Sequence, residues 1–480
     1  MRPHHTHTPP PLSHRVRPGN TIMSGITPSQ RYPLEKDVRE TLLAAYNGKH
    51  YKELPTPALV VKKPQVDANI TSLLNAIDSI NSHVARPVKY RAHIKTHKTI
   101  EGTRKQLGYD LPGYKGPIYS SIVVSTLREA YLVLDYQAQA QAQAKAQAQA
   151  QAETGGPNIV TDMLYGLPAC VPDIVPELYA ISEKVDHFRI FVDNVYHIEV
   201  LQKFAQETQL RDPKFKWSVF VKIDCGTHRA GVFSQHDLEI LLRRLFEAKD
   251  YIELYGFYAH AGHSYAKTSL VDNEAVLKEE IEYVNRACES VLSLDASFPV
   301  SSLVLSVGAS PTARAFENSS NIPALVSYID SLHGTLELHA GNLMISDLQQ
   351  VATGSIVEKN VASFVLGTVI SQYPQRGNPV GEMLTNTGVL SMTKEVSSKA
   401  PGYGLVVSDP EYGQWYLQRL SQEHGILQPL DIDTCKLLPH GTKVDILMQH
   451  ACITMACFGH YFVIDDKGIV IDVWIPCRGW

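Results

Sequence analysis

Residues 217–258 read WSVFVKIDCGTHRAGVFSQHDLEILLRRLFEAKDYIELYGFY, and two strand patterns flank a helix pattern in this stretch. The β-branched and aromatic run at 217–224 predicts a buried strand. Apolar residues at helical spacing over 235–248 predict an amphipathic helix, and the run at 254–258 predicts a second strand. Strand, helix and strand in this order predict two parallel strands joined by a right-handed crossover.

The same alternation continues along the chain in both directions. The further strand candidates are residues 120–125, 188–192 and 303–307, and the further helix candidates are residues 125–136, 194–207 and 272–294. This pattern is typical of an α/β fold built as a closed (β/α)8 barrel of the TIM type. We expect the barrel to span residues 61–360.

The character of the sequence changes after the barrel. The β-rich segments are residues 363–371, 405–408, 443–449 and 461–465. They predict a mainly β domain at 361–480, against which residues 31–60 pack, and the Pro- and His-rich residues 1–30 predict a disordered tail. A Gln/Ala tract at 137–152 lacks an apolar stripe, so we expect a solvent-exposed helical extension or a disordered insertion there.

Composition and charge exclude several classes of protein. The 480 residues carry a formal net charge of −5, which argues against nucleic acid as a partner. The hydrophobic fraction of 44% and the charged fraction of 19% exclude global disorder. No apolar run reaches the roughly 18 residues that a membrane helix needs, so we expect no membrane span. Seven scattered cysteines indicate a reducing compartment, and we expect a cytoplasmic protein.

A first candidate site lies in residues 88–95, VKYRAHIK, where apolar and basic residues alternate. As a strand, this segment would present Lys89, Arg91, His93 and Lys95 on one face. A lysine among cations loses its proton more readily, and its free amine can form a Schiff base with an aldehyde. A solvated edge strand with basic side chains is the alternative interpretation.

A second candidate site is His450-Ala451-Cys452, which follows a predicted strand. Residues i and i+2 of a strand point to the same side, so His450 and Cys452 could both bind one Zn²⁺. Two protein ligands suit an open site completed by water or substrate. Spacing alone also fits two ordinary core residues.

Three loops that follow predicted strands form a third group of candidates. Tyr258 and Tyr265 flank a His-rich loop at the place where a barrel carries its active site. Residues 306–312 and 339–342 offer small residues and backbone N–H groups that can cradle a phosphate. The phosphate-binding candidates in these two loops are Ser306, Gly308, Thr312, Gly341 and Asn342. Tight turns would have the same composition.

Taken together, these motifs resemble the alanine-racemase-like pyridoxal-phosphate (PLP) enzymes of fold type III. Within them, the chain is most similar to the zinc-dependent eukaryotic D-serine dehydratases, from about residue 54 to residue 473. The stretches that carry the resemblance are LPTPALVV at 54–61, RAHIKTHK at 91–98, KIDCG at 222–226, RAG at 229–231, SQEHG at 421–425 and HAC at 450–452.

The resemblance implies a lyase that converts D-serine to pyruvate and ammonia. Lys95 matches the lysine that binds PLP and removes the Cα proton, Tyr258 and Tyr265 match the cofactor and substrate loop, and His450 and Cys452 match the zinc ligands. It also implies a homodimer. Two alternatives stay open: an aldolase of the D-threonine aldolase type, which cleaves D-β-hydroxy amino acids to glycine and an aldehyde, and a non-catalytic PLP-binding protein.

Overall fold

The structure, a computed structural model, describes residues 37–148, 158–407 and 409–479. The tail predicted at residues 1–30 therefore lies outside the described residues, and so does the end of the Gln/Ala tract at 149–152. No helix among the described residues is both long enough and apolar enough to cross a membrane.

Seventeen strands in the described ranges form two sheets. Strand β1 (Ala58–Lys62) belongs to the second sheet, and the next eight strands close a parallel barrel in chain order. The barrel strands are β2 (Lys89–His93), β3 (Ser121–Val124), β4 (Asp162–Tyr165), β5 (His187–Val192), β6 (Trp217–Ile223), β7 (Ile252–Ala259), β8 (Val304–Val307) and β9 (Thr335–Ala340). The predicted (β/α)8 barrel is thus confirmed.

The remaining strands join β1 in a mainly antiparallel, nine-stranded sheet of order β11-β14-β13-β12-β15-β10-β1-β16-β17. They are β10 (Ser363–Tyr373), β11 (Glu382–Thr385), β12 (Gly404–Val407), β13 (Trp415–Leu420), β14 (Gly425–Pro429), β15 (Lys443–Met448), β16 (Tyr461–Ile464) and β17 (Val470–Trp474). Because β1 lies between β10 and β16, the chain enters the barrel from inside the second sheet.

The described residues contain twelve α-helices. They are α1 (Asp37–Tyr46), α2 (Lys63–Asn81), α3 (Ile100–Gln106), α4 (Leu127–Ala148), α5 (Val175–Ser182), α6 (Val195–Thr208), α7 (Gln235–Glu247), α8 (Leu270–Leu294), α9 (Ser310–Glu317), α10 (Ile322–Asp330), α11 (Leu348–Ala352) and α12 (Ala451–Ala456). Helix α4 is longer than the predicted 125–136, because it continues into the Gln/Ala tract as far as Ala148.

Side chains fill the inside of the barrel. The fully buried Arg91 donates to Oε1 of Glu337 over 2.8 Å and to Oδ1 of Asp162 over 2.6 Å. Arg189 donates to the other oxygen of Asp162 over 2.8 Å. These pairs neutralise charges that would be costly to bury alone. With its centre filled, the barrel leaves room for a ligand only at an end.

The predicted basic strand at 88–95 is wrong in two respects. Strand β2 ends at His93, since the N–H of Lys98 donates to the carbonyl of Ile94 over 2.9 Å and bends the chain into a turn. Arg91 does not contribute to a basic face around Lys95, because carboxylates inside the barrel neutralise it.

Candidate active site

A cavity of about 1110 Å³ opens at the carboxyl ends of the barrel strands. Its barrel wall includes His93, Lys95, Lys222 and Arg229, and its other wall is formed by the β domain, including Cys452, Tyr461 and Arg478. The two domains therefore build this cavity together, and its lining is rich in cationic side chains.

Lys95 lies in the turn that follows β2, and its side chain lines the cavity. The neighbouring Lys98 also lines the cavity, but its ammonium group pairs with the buried carboxylate of Glu129. The positive charge of Lys95 contributes to holding down the pKa of His93 and of Cys452. The turn thus places the Lys95 amine within electrostatic reach of both cavity walls.

The two tyrosine candidates lie on strand β7 and in the loop that follows it. The Tyr258 ring is buried and stacks on the His339 ring, with ring centres 4.0 Å apart. The Lys222 ammonium group lies between the rings of Phe191 and Tyr258, 4.6 and 4.8 Å from their centres. Burial and the nearby Arg229 charge lower the pKa of Lys222 to about 8. Burial raises the pKa of Tyr258, so its phenol stays protonated.

Tyr265 connects the loops after β7 and β8. Its hydroxyl is hydrogen-bonded by the side chain and backbone of Ser310, the first residue of α9. Burial and the charge of Cys452 raise the pKa of Tyr265 to about 12. The loop after β7 therefore reaches from the start of α9 toward the β-domain wall of the cavity.

The loop after β8 is held by internal partners. The Ser306 hydroxyl bonds to Glu337 (2.8 Å) and lies 3.1 Å from Nδ1 of His339. The N–H of Gly308 and the hydroxyl of Thr312 both donate to the carboxylate of Glu280, each over 3.1 Å. A Cβ at position 308 would lie 1.9 Å from the His339 carbonyl oxygen, so only glycine fits there.

Gly341 and Asn342 follow β9 and lead to the metal candidates. Nδ2 of Asn342 donates to Oδ2 of Asp347 over 2.5 Å, while Oδ1 of Asn342 is buried without a partner in the described ranges. The same Oδ2 of Asp347 accepts from the N–H of Ala451 over 2.7 Å. Asp347 thus connects the β9 loop to the residue between His450 and Cys452.

The prediction that His450 and Cys452 lie on a strand is also wrong. Strand β15 ends at Met448, His450 is the N-cap of α12, and Cys452 is the second residue of that helix. The N–H of Thr454 donates to the His450 carbonyl over 3.2 Å and starts the helix. The two side chains nevertheless lie close enough for each to shift the pKa of the other.

The donor chemistry of this pair fits a metal ion. Burial alone would raise the pKa of the Cys452 thiol, but the interaction with His450 and the Lys95 charge outweigh it and lower the pKa. Thr96 Oγ1 lies 3.0 Å from Cys452 Sγ, and Glu395 lies 3.9 Å from Nδ1 of His450. A thiol whose pKa is lowered beside an imidazole is a donor set that could hold zinc.

Coordination at such a site would be open. Within the described ranges, no group of three or more His, Cys, Asp and Glu side chains is placed to hold a metal ion. A metal bound by His450 and Cys452 would therefore keep positions for water or substrate, as a catalytic metal requires.

The cavity also fits PLP. Its volume of about 1110 Å³ exceeds what a cofactor of this size needs, and Lys95, Lys222, Arg229 and Arg478 supply positive charge for a phosphate and for a substrate carboxylate. Buried polar atoms at the barrel mouth, Oδ1 of Asn342 and Nε2 of His339, have no protein partner in the part of the chain that the structure describes.

Three groups of residues at this site were not predicted from the sequence. Glu280 and Asp347 are fully buried acids that hold loops. The third is a C-terminal segment at 476–479 that lines the cavity and is tied down by the bond from the Cys477 N–H to the Lys98 carbonyl, 2.9 Å long. The signal for Glu280 was present, because its position falls on the apolar face of the predicted helix 272–294.

Comparisons with known proteins agree with this construction. The family model "Alanine racemase, N-terminal domain" matches residues 120–322, within the barrel. The family model "Putative serine dehydratase domain" matches residues 362–464, within the β domain. The two family models thus match the two parts of the fold separately.

Relatives that align with about nine-tenths of this chain identify its family more closely than the two family models do. The chain is 42% identical to a D-serine dehydratase of Saccharomyces cerevisiae (92% of this chain, 99% of the relative) and 36% identical to one of Schizosaccharomyces pombe (92% and 96%). The solved D-threo-3-hydroxyaspartate dehydratase from Delftia sp. HT23 is 26% identical, with a TM-score of 0.69 over 90% of this chain and 100% of that chain. The chain belongs to the D-serine dehydratase family.

Proposed function

We propose that this protein is a PLP- and zinc-dependent lyase that dehydrates D-serine to pyruvate and ammonia. One observation carries the proposal: the Lys95 amine and the Cys452 thiol line the same cavity, one from the barrel and one from the β domain. The 42% identity to a D-serine dehydratase supports the same reaction.

When bound, PLP withdraws electrons from Cα of the amino acid, and zinc acts as a Lewis acid toward the departing β-hydroxyl oxygen. Lys95, through Nζ, would hold the cofactor and then take the Cα proton as general base. His450 and Cys452 would hold the metal on the opposite wall. The substrate is thereby oriented with its Cα–H toward the barrel and its hydroxyl toward the β domain.

The remaining candidates would hold the cofactor and tune it. The resemblance assigns Tyr258 to the pyridine nitrogen, where a protonated phenol adds no positive charge. Tyr265 is proposed to contact the cofactor and substrate from the loop after β7. Ser306, Gly308, Thr312, Gly341 and Asn342 are proposed to form the phosphate end of the site. Because Glu280 already accepts bonds from Gly308 and Thr312, we propose that these two residues act by shaping the loop.

The proposal extends to assembly and location. We propose a homodimer, as the resemblance implies, in which a partner subunit helps to close the cavity. All seven cysteines are free thiols, which supports the proposed cytoplasmic location.

Product analysis separates this function from its alternatives. Purified protein loaded with PLP and zinc is incubated separately with D-serine, D-threonine and D-threo-3-hydroxyaspartate. The products of dehydration, a 2-oxo acid and ammonia, and those of aldol cleavage, glycine and an aldehyde, are measured. Pyruvate from D-serine, with ammonia, is the expected result. Glycine with an aldehyde would show an aldolase, and cofactor binding without any product would show a silent binder.

A further inference from the structure

Helix α8 carries a fully buried carboxylate, Glu280. Its neighbours on the same buried face include the apolar Val276, Leu277, Ile281 and Val284. An acid on such a face loses its hydration and is retained only where it gains polar partners. The function proposed above does not use Glu280 directly, so its role needs a separate explanation.

The partners of Glu280 come from two cofactor loops. Oε1 accepts from the N–H of Ala261, after β7, over 2.7 Å, and from the N–H of Gly308, after β8, over 3.1 Å. Oε2 accepts from the hydroxyl of Thr312 over 3.1 Å. A single side chain from the outer helical layer therefore connects the loop of Tyr265 to the loop of residues 306–312.

We propose that Glu280 is a positioning residue that sets the cofactor affinity of the site by fixing these two loops relative to each other. The inference rests on the proposed function, since it needs PLP to bind at these loops. Glu280 does not touch the cofactor in this account, because its carboxylate lies behind the loops and satisfies their donors from the helix side.

The hydroxyl of Thr312 gives this connection two hydrogen-bonded states. Thr312 Oγ1 accepts from the N–H of Ala309 (2.8 Å) and lies 3.3 Å from the Ala309 carbonyl oxygen. When Glu280 is ionised, the hydroxyl donates to Oε2. When Glu280 is protonated, its own O–H can donate to Thr312, and the Thr312 hydroxyl turns to the Ala309 carbonyl. All donors keep a partner in both states.

The surroundings place the change between these states near neutrality. Burial raises the pKa of Glu280 from its ordinary 4.5 to about 7, and its three hydrogen bonds partly offset the rise. The groups that face it are Lys222 on β6, Cys225 after β6 and Tyr258 on β7. His260, after β7, bonds to the Gly308 carbonyl (2.8 Å) and stays neutral, because burial and the Lys95 charge hold its pKa well below the ordinary value.

The variant Glu280→Gln imitates the protonated state. Its amide oxygen can accept from the two backbone N–H groups, and its –NH2 can donate to Thr312. Glu280→Ala instead leaves the N–H groups of Ala261 and Gly308 without an acceptor. One unsatisfied buried donor costs on the order of a tenfold to hundredfold factor in an equilibrium. Because the two donors lack an acceptor in the cofactor-free protein as well, only part of the total cost falls on binding, and we expect PLP to bind about ten- to a hundredfold more weakly to the Ala variant.

The test is a titration of the cofactor-free protein with PLP, followed by absorbance and fluorescence at pH 6 and pH 8. The matched control is Glu282→Gln, an exposed acid on the same helix. We expect the dissociation constants of the wild type and Glu280→Gln to coincide at pH 6. At pH 8 the wild type should bind PLP more tightly, because only its ionised carboxylate holds the two loops by charge-assisted hydrogen bonds. The control should follow the wild type at both pH values.

A second pair of variants guards against a misfolded Glu280→Ala protein. Thr312→Val removes the hydroxyl and should weaken PLP binding about tenfold, whereas Thr312→Ser should restore it. The melting temperature of each cofactor-free variant separates positioning from stability, because a positioning role changes PLP affinity among variants that melt together.

The outcomes of this test can be told apart from those of the test of the proposed function. Pyruvate release by the wild type tests that function alone. If PLP binds the Ala and Val variants as tightly as the wild type, the role of Glu280 is overturned whether or not the wild type releases pyruvate. It is equally overturned if the wild type and Glu280→Gln differ by the same factor at both pH values.

Discussion

The variant Asp347→Asn is predicted to weaken zinc binding without unfolding the chain. Asp347 is fully buried. Its Oδ2 accepts from the N–H of Ala451 (2.7 Å) and from Nδ2 of Asn342 (2.5 Å), and its Oδ1 accepts from the N–H of Gln350 (3.0 Å). Because Ala451 separates the two proposed zinc ligands, this carboxylate fixes the position of the ligand pair.

The size of the effect follows from counting acceptors. The variant's amide has one oxygen, so either the Ala451 N–H or the Gln350 N–H loses its partner. Asn342 can recover its own bond by turning its side-chain amide, since its Oδ1 has no partner in the described ranges. One lost bond to a buried charged group costs roughly 1.5–3 kcal/mol. If this free-energy cost falls on the metal-bound state, it raises the zinc dissociation constant by about ten- to a hundredfold.

The assay is competition between the protein and a chromophoric zinc chelator, with thermal melting of the metal-free protein alongside. The matched control is Asp433→Asn, which changes an exposed acid and should leave both measurements unchanged. If Asp347→Asn binds zinc as tightly as the wild type while folding normally, Asp347 does not position the ligand pair and the reasoning is refuted.

Three further predictions follow from other contacts. Lys95→Ala should abolish covalent attachment of PLP, so that borohydride reduction followed by peptide mass analysis finds the cofactor on Lys95 in the wild type and on no peptide in the variant. Arg91→Met leaves the buried carboxylates of Asp162 and Glu337 without their shared partner, and denaturant unfolding should show a loss of about 3–5 kcal/mol. Glu280 has a folded pKa of about 7 against an ordinary 4.5, so its stabilising effect is complete below pH 4.5 and is lost as the pH rises through 7. Relative to Glu280→Gln, the wild type should lose up to about 3 kcal/mol over this range in unfolding measurements.

Each of these three predictions can fail independently. Cofactor found on a different lysine would remove Lys95 from its role. An Arg91→Met protein as stable as the wild type would mean that the two carboxylates become protonated or hydrated at little cost. Parallel stability curves for the wild type and Glu280→Gln would show that Glu280 keeps an ordinary pKa in the folded chain.

Local periodicity was sufficient to predict the barrel. The run at 217–223 and the helix at 235–247 were identified almost to the residue, because buried parallel strands and amphipathic crossover helices have strong patterns. Residues 31–60 were expected to pack against the β domain, but the strands that pair with β1 were not predictable in this way. Its pairing with β10 and β16 joins residues some 300 to 400 positions apart in the chain, and hydrophobic patterning does not encode such a partner.

In the candidate site, too, some features were predictable from local sequence and others depend on distant contacts. Lys95 and Cys452 line one cavity, although Lys95 lies in a turn and Cys452 at the start of a helix rather than on the predicted strands. The roles of Lys95, His450 and Cys452 stay predictions. A side chain in a turn has no fixed period, so alternation gave the wrong local geometry. The roles of Glu280 and Asp347 depend on distant backbone donors at Ala261, Gly308 and Ala451, which no local pattern reveals.

The most direct test of the account is pyruvate release from D-serine by the PLP-loaded protein, measured with and without a zinc chelator beside the variant Cys452→Ala. We predict that the chelator abolishes release by the wild type, that added zinc restores it, and that zinc does not restore it in the variant. Release that continues at the wild-type rate after zinc removal, or in Cys452→Ala, would contradict a mechanism in which the two walls of the cavity act through a metal at His450 and Cys452.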